Sequence, residues 1–178
     1  MLGKSNGQIR RYDYKNVEVE FWDTNVFLHK FSKYLRGLKR RKIIVITTGV
    51  IDELDCISKY SKNGVKRTAK KVINFLEKYF KGEQKLPAGC CFCLNTGNPK
   101  ELSETVDDQI IRAAHREAQK YLEDRKVSVA TLDRALSLKA IAFGVGSDYL
   151  PREKDKCSIK KKRCAHRQDF RALVGART

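Results

Sequence analysis

The chain has 178 residues, with 38 Lys+Arg against 21 Asp+Glu and a formal net charge of +17. That length suits one compact domain with a tail, able to bury a core without disulfide or metal staples. Hydrophobic residues at 41% exclude a wholly disordered chain, no apolar run approaches the ~18 residues of a membrane helix, and the charge calls for a polyanion, nucleic acid before an anionic membrane surface.

Residues 1–16 read as an N-terminal extension; Met1 to Arg11 is polar and basic, without the apolar core of a signal peptide, so a reducing, cytoplasmic setting is expected. Residues 17–23 alternate and then turn apolar, as a strand does. Thr24 is placed to cap a helix running through Val26, Phe27 and Phe31. The run Ile43-Ile44-Val45-Ile46 predicts a strand buried on both faces of a parallel sheet. A helix over 49–60 carries Val50, Leu54 and Ile57 on one stripe; Asn63-Gly64 predicts a turn, and a basic helix follows over 65–80. Cys90, Cys91 and Cys93 fall in a short strand as buried thiols. The alternative, zinc held with Cys157, Cys164 and His166, lacks paired C-x-x-C knuckles. A polar loop at 95–104 leads to a long helix over 106–124, a strand at 127–130, a helix over 134–143 and a short extended piece near Val145. From about residue 151 charge is dense, peaking at Lys160 to Arg163, which predicts a basic C-terminal tail over 151–178. Strands alternating with helices argue for an α/β fold with a mostly parallel central sheet. No phosphate-binding G-x-x-x-x-G-K-[ST] loop is present.

Ligands of parallel α/β sheets bind at the C-terminal ends of the strands. Asp23 ends the first strand, Glu53 opens the helix after the second, Asp107 and Asp108 open the long helix, and Asp133 follows the 127–130 strand. Parallel strands would bring four acids to one edge. At ~100° per residue, Asp107 shares the face of Ala114 and Ala118, whereas Asp108 completes a Thr105-x-x-Asp108 capping box. Asp52 and Asp55 fall away from the buried stripe of their helix. Crowded carboxylates repel one another, and oxygen-only ligands suit Mg²⁺ or Mn²⁺, one or two ions. Such a site performs metal-assisted phosphodiester hydrolysis.

Four motifs carry a resemblance: Phe21-Trp22-Asp23-Thr24-Asn25-Val26-Phe27-Leu28-His29; Val50-Ile51-Asp52-Glu53-Leu54-Asp55; Asp107-Asp108-Gln109-Ile110-Ile111; and Val129-Ala130-Thr131-Leu132-Asp133. Together, over residues 17–150, they resemble the PIN domains, and most of all those attached to PhoH-type ATPases, here without the ATPase half. The resemblance implies a three-layer α/β/α sandwich and Mg²⁺/Mn²⁺-dependent cleavage of single-stranded or structured RNA. It implies Asp23, Glu53, Asp107 and Asp133 as metal-binding and catalytic acids, with Asn25 and Thr131 as polar support and Asp108 as runner-up to Asp107. Ala135 stands where many relatives carry a further polar or acidic residue.

Lys39, Arg40, Arg41 and Lys42 belong to one cationic cluster, and Lys62, Lys66, Arg67 and Lys70 to another. With Lys161 and Arg163 of the tail they are the expected phosphate contacts. Tyr12, Tyr14, Trp22, Tyr34 and Tyr60 can stack bases or pack in the core, and the sequence does not choose between these. The expected function is a metal-dependent endoribonuclease with a tail that docks RNA or a regulatory protein. An RNA-binding scaffold with little catalysis, or a toxin-like ribonuclease controlled by an antitoxin, fits the same pattern.

Overall fold

The computed structural model describes residues 17–38, 41–87, 89–96, 105–120 and 126–151. The N-terminal extension and nearly all of the tail, with Lys39, Arg40, Lys161, Arg163, Cys157, Cys164 and His166, lie outside the described residues. Five strands and six helices follow one another: β1 (Glu18–Trp22), α1 (Thr24–His29), α2 (Phe31–Gly37), β2 (Lys42–Thr47), α3 (Thr48–Tyr60), α4 (Asn63–Phe80), β3 (Cys90–Asn95), α5 (Val106–Lys120), β4 (Val127–Thr131), α6 (Arg134–Ala142) and β5 (Gly146–Tyr149). All strand pairings are parallel, in the order β3-β2-β1-β4-β5. The expected α/β sandwich with a parallel sheet is therefore the fold.

β1 lies at the centre, and its register pairs Phe21 with Val45 and Val129, and Glu20 with Ile44 and Ser128. Alternation then sends Val19 and Phe21 to one face, Glu20 and Trp22 to the other. The Trp22 face is an aromatic layer: Trp22 meets Phe27, Tyr34 and Phe92, and Phe75 meets Phe31 and Phe92, so α1, α2 and α4 cover it. Such tilted and edge-on ring pairs add about 0.5–1.5 kcal/mol each beyond their buried area. α5 runs across β1, β2 and β4, and α6 packs on β4 and β5.

Five local features differ from the sequence expectation. Asp23, not Thr24, occupies the N-cap position of α1, and Thr24 is already helical. The predicted single helix breaks at Lys30, whose φ of −128° leaves the helical region, giving α1 and α2. Asn63-Gly64 opens α4 rather than forming a separate turn. The last strand starts at Gly146, just after the buried Val145. The cysteine strand β3 is an edge strand, so Cys93 is exposed and Cys90 and Cys91 are half-buried rather than core.

One buried cluster has no counterpart in the sequence reading. Glu20 is 0% exposed; its carboxylate accepts from Trp22 Nε1 at 2.6 Å and Lys42 Nζ at 3.0 Å, and shares a hydrogen bond with Asp148. Lys42 also meets Glu18 at 3.6 Å and lies over the Tyr34 ring. Lys42 is thus spent on neutralising buried acids and leaves the surface cluster to which the sequence assigned it. Burial, and the nearby charges of Glu20, Asp148 and Glu18, push the Tyr34 phenol well up. Trp22 and Tyr34 are accordingly core aromatics.

Candidate active site

The C-terminal edge of the sheet gathers the predicted acids, each by a different local device. Asp23 follows the last residue of β1 and is buried; its Oδ2 accepts from Thr131 Oγ1 at 2.8 Å and from Asn25 Nδ2 at 3.3 Å. Thr131 closes β4, the neighbour of β1, so two residues 108 apart in sequence meet because their strands pair in register. The same Thr131 hydroxyl accepts from the Asp133 backbone N–H at 2.9 Å. One side chain therefore fixes both Asp23 and the turn that carries Asp133. Asp133 itself is exposed and is the N-cap of α6, its Oδ1 accepting from Ala135 N at 2.7 Å. The polar support expected from Asn25 and Thr131 is present as geometry.

Glu53 is exposed on the second turn of α3, and its Oε2 accepts from Thr24 Oγ1 at 2.5 Å. Thr24, read from sequence as a cap, instead ties α1 to α3. The cap reading fails because Asp23 occupies the cap position and the Thr24 hydroxyl faces Glu53. α3 begins directly after β2, and Gly49 lets it approach α5: a Cβ there would lie 2.5 Å from Gln109 Oε1 and 3.2 Å from Val106 Cγ2. That close approach seats the start of α3, with Glu53, beside the start of α5, with Asp107.

Asp107 is half-buried on α5, while Asp108 is drawn away by two partners. Thr105 Oγ1 donates to Asp108 Oδ2 at 2.6 Å, the Asp108 N–H donates back to Thr105 Oγ1 at 3.2 Å, and Lys139 Nζ sits 3.2 Å from Oδ1. These contacts hold the Asp108 carboxyl below the usual range. The expected capping box is therefore present, and Asp108 is committed to it and to Lys139. Sequence reasoning missed Lys139; it belongs to the fourth motif's helix, and helical periodicity alone does not say that it reaches α5.

Electrostatics couple the acids. Burial pushes Asp23 up, the bonds from Thr131 and Asn25 oppose this, and the Glu53 charge adds to the rise. Burial likewise pushes Asp107 up, followed by the Asp23 charge, with Lys139 opposing and Asp133 adding. Asp23 thus feels the charge of Glu53, and Asp107 feels those of Asp23 and Asp133. Oxygen-only donors with unrelieved mutual repulsion suit a hard divalent cation. Among the described residues no trio of acidic, thiol or imidazole side chains is arranged to hold a metal ion as it stands. Three of the four carboxylates have protein partners of their own: Asp23 with Thr131 and Asn25, Glu53 with Thr24, and Asp133 with its cap bond.

Of the expected phosphate contacts, Arg41, Lys62, Arg67 and Lys70 are exposed, and Lys66 is half-buried with Nζ donating to Lys59 O at 2.8 Å. Asp52 is exposed, and Asp55 pairs with Lys59 one turn on. No helix among the described residues is long and apolar enough to cross a membrane.

No curated protein sequence matches the chain. Among solved structures, a domain of a functionally unknown protein from Methanocaldococcus jannaschii is similar at TM-score 0.55 and 17% identity, covering 76% of this chain and 92% of that one. The PIN domain of human SMG5 gives TM-score 0.40 and 16% identity, covering 74% of this chain and 91% of that one. The first likeness supports the fold. A family model described as the PIN domain matches residues 21–149, a span that begins just before Asp23 and takes in Glu53, Asp107 and Asp133. The chain belongs to the PIN-domain family, a fold generally associated with metal-dependent nucleases.

Proposed function

We propose that this chain is a Mg²⁺- or Mn²⁺-dependent endoribonuclease. The observation that supports this reading best is the convergence of Asp23, Glu53, Asp107 and Asp133, with Asp23 and Asp107 both raised by burial and by neighbouring negative charge. Asp23 and Asp107 are the proposed primary ligands, with Glu53 and Asp133 completing the set. A bound divalent cation would supply neutralising charge at the phosphate and a more acidic water. The protein's own part is orientation. Thr131 and Asn25 hold Asp23 by one oxygen, Thr24 holds Glu53, and Lys139 draws Asp108 off the edge so that Asp107 faces it alone. Arg41, Lys62, Arg67 and Lys70 would hold the phosphate backbone. The tail and residues 39–40 are proposed to add to that surface, and the tail to dock RNA or a regulatory protein. A PhoH-type kinship and a cytoplasmic setting belong to the same proposal.

The test is cleavage of a labelled single-stranded RNA with Mn²⁺, repeated with Asp23→Asn and Asp107→Asn. Each substitution is expected to abolish products. Cleavage surviving both would reject the assigned edge. Salt-sensitive binding without metal-dependent products from the unmodified protein would make the chain an RNA-binding scaffold instead.

A further inference from the structure

We infer that Tyr60 is a base-stacking platform for single-stranded RNA leaving the acidic edge. The ligand's identity rests on the ribonuclease reading; the platform itself rests on geometry. Tyr60 is the last residue of α3 and is 82% exposed. Among the described residues no other ring lies against it, unlike Trp22, Tyr34 and Tyr79, which pack in the aromatic layer. Its sequence neighbours Lys59, Ser61 and Lys62 are polar, and the next exposed apolar side chain along the sequence is the small Val65.

Helical geometry relates Tyr60 to the site. Seven residues separate it from Glu53 on α3, which at ~100° each falls about 20° short of two full turns. The two side chains share one exposed stripe, with exposed, uncharged Cys56 between them. The axial separation is about 10 Å. At the ~3.4 Å rise of a stacked strand, that is about three nucleotides. A strand with a phosphate at the acids thus brings a base to Tyr60 without passing another carboxylate of that stripe.

The surface beyond Tyr60 is cationic. From Cys56 to Leu76 the sequence holds no acid, while Lys62, Arg67, Lys70 and Lys71 are exposed. Among the described residues Lys59 pairs with Asp55 one turn before Tyr60. Lys66 donates to Lys59 O and so fixes the α3–α4 elbow, which keeps the platform in register with Glu53. An exposed ring in a cationic frame takes an unpaired base on its face and phosphates on either side. Base-paired RNA has its faces hidden, so the platform selects single strands.

The experiment is fluorescence anisotropy of a labelled single-stranded RNA and of a blunt RNA duplex with the full chain, in chelator so that nothing is cut. Tyr60→Ala is expected to weaken single-strand binding about tenfold. Tyr60→Trp should retain it, and neither should change duplex binding. Because Tyr60 is nearly fully exposed, both variants are expected to fold. Unchanged single-strand affinity in Tyr60→Ala, equal losses on duplex, failure of Tyr60→Trp to rescue, or no single-strand binding by the unmodified chain would each overturn the inference. Tyr60-dependent binding without Mn²⁺-dependent cleavage would instead reject the nuclease reading and leave the platform standing. Cleavage with Tyr60-independent binding would do the reverse.

Discussion

Thr131 and Glu20 show how much one side chain can decide. The buried Thr131 hydroxyl donates to Asp23 and accepts from the Asp133 N–H. Thr131→Val keeps the shape but strands both partners, one of them a buried carboxylate. The expected cost is about 1–3 kcal/mol by urea denaturation, with at least a tenfold loss of cleavage, and Thr131→Ser should recover most of both. Glu20 carries a pH signature. Burial holds its pKa above the ordinary glutamate range, with the Trp22 and Lys42 contacts opposing, so the protonated carboxyl favours the fold. That contribution is complete below the unfolded pKa and is lost as pH climbs through the raised folded value. Glu20→Gln removes the titration while its amide can still accept from Trp22 and donate to Asp148. The variant should therefore gain stability relative to the parent as pH rises from about 4.5. Parallel urea midpoints across that range check this; a difference independent of pH would contradict it. The burial of Glu20 was not legible beforehand, because Val17-Glu18-Val19-Glu20 has the alternation of a half-exposed strand. That face is buried because α2 covers it, with Lys42 of the adjacent strand balancing the acid.

At the level of elements, the strands were the most legible, since parallel strands buried on both faces must be short apolar runs. Helix ends were less so. Nothing local distinguishes one helix through Phe31 from two that break at Lys30. The acids' convergence was legible only through topology: each is local in sequence, and parallel pairing alone brings them to one edge. What pairing could not convey was side-chain commitment, such as Thr24 to Glu53 or Lys139 to Asp108. The α3–α5 contact at Gly49 offers a test. Gly49→Leu must displace Gln109 and Val106, so it should cost about 1–3 kcal/mol and lower cleavage by moving Glu53 off the edge. Gln109→Ala in the same chain should restore part of the loss, seen as non-additive denaturation free energies.

For the whole molecule, the charge of +17 divides between structural and solvent-facing cations. Lys42 balances buried Glu20, and Lys139 is paired with Asp108, whereas Arg67 and Lys70 face water. Affinity for single-stranded RNA should fall as a power of salt concentration, each neutralised phosphate adding roughly 0.7 to the slope. Replacing both Arg67 and Lys70 with Ala should reduce that slope by roughly 1.4, measured by anisotropy over a salt series. Replacing Lys42 should leave the slope alone and appear instead as lost stability.

The bond between Thr131 and Asp23 has a consequence in time. Asp23 leaves the ribosome among the first residues of the domain, yet the hydroxyl that orients it is made 108 residues later. At ~5–20 residues per second, that interval lasts roughly 5–20 seconds. Throughout it, a strongly basic nascent chain sits beside ribosomal RNA with its acids unassembled. On the proposed ribonuclease reading, the chemistry of the edge is withheld until β4 has been synthesised and has taken its place beside β1, and the order of translation would act as a safety catch for the cell that makes it.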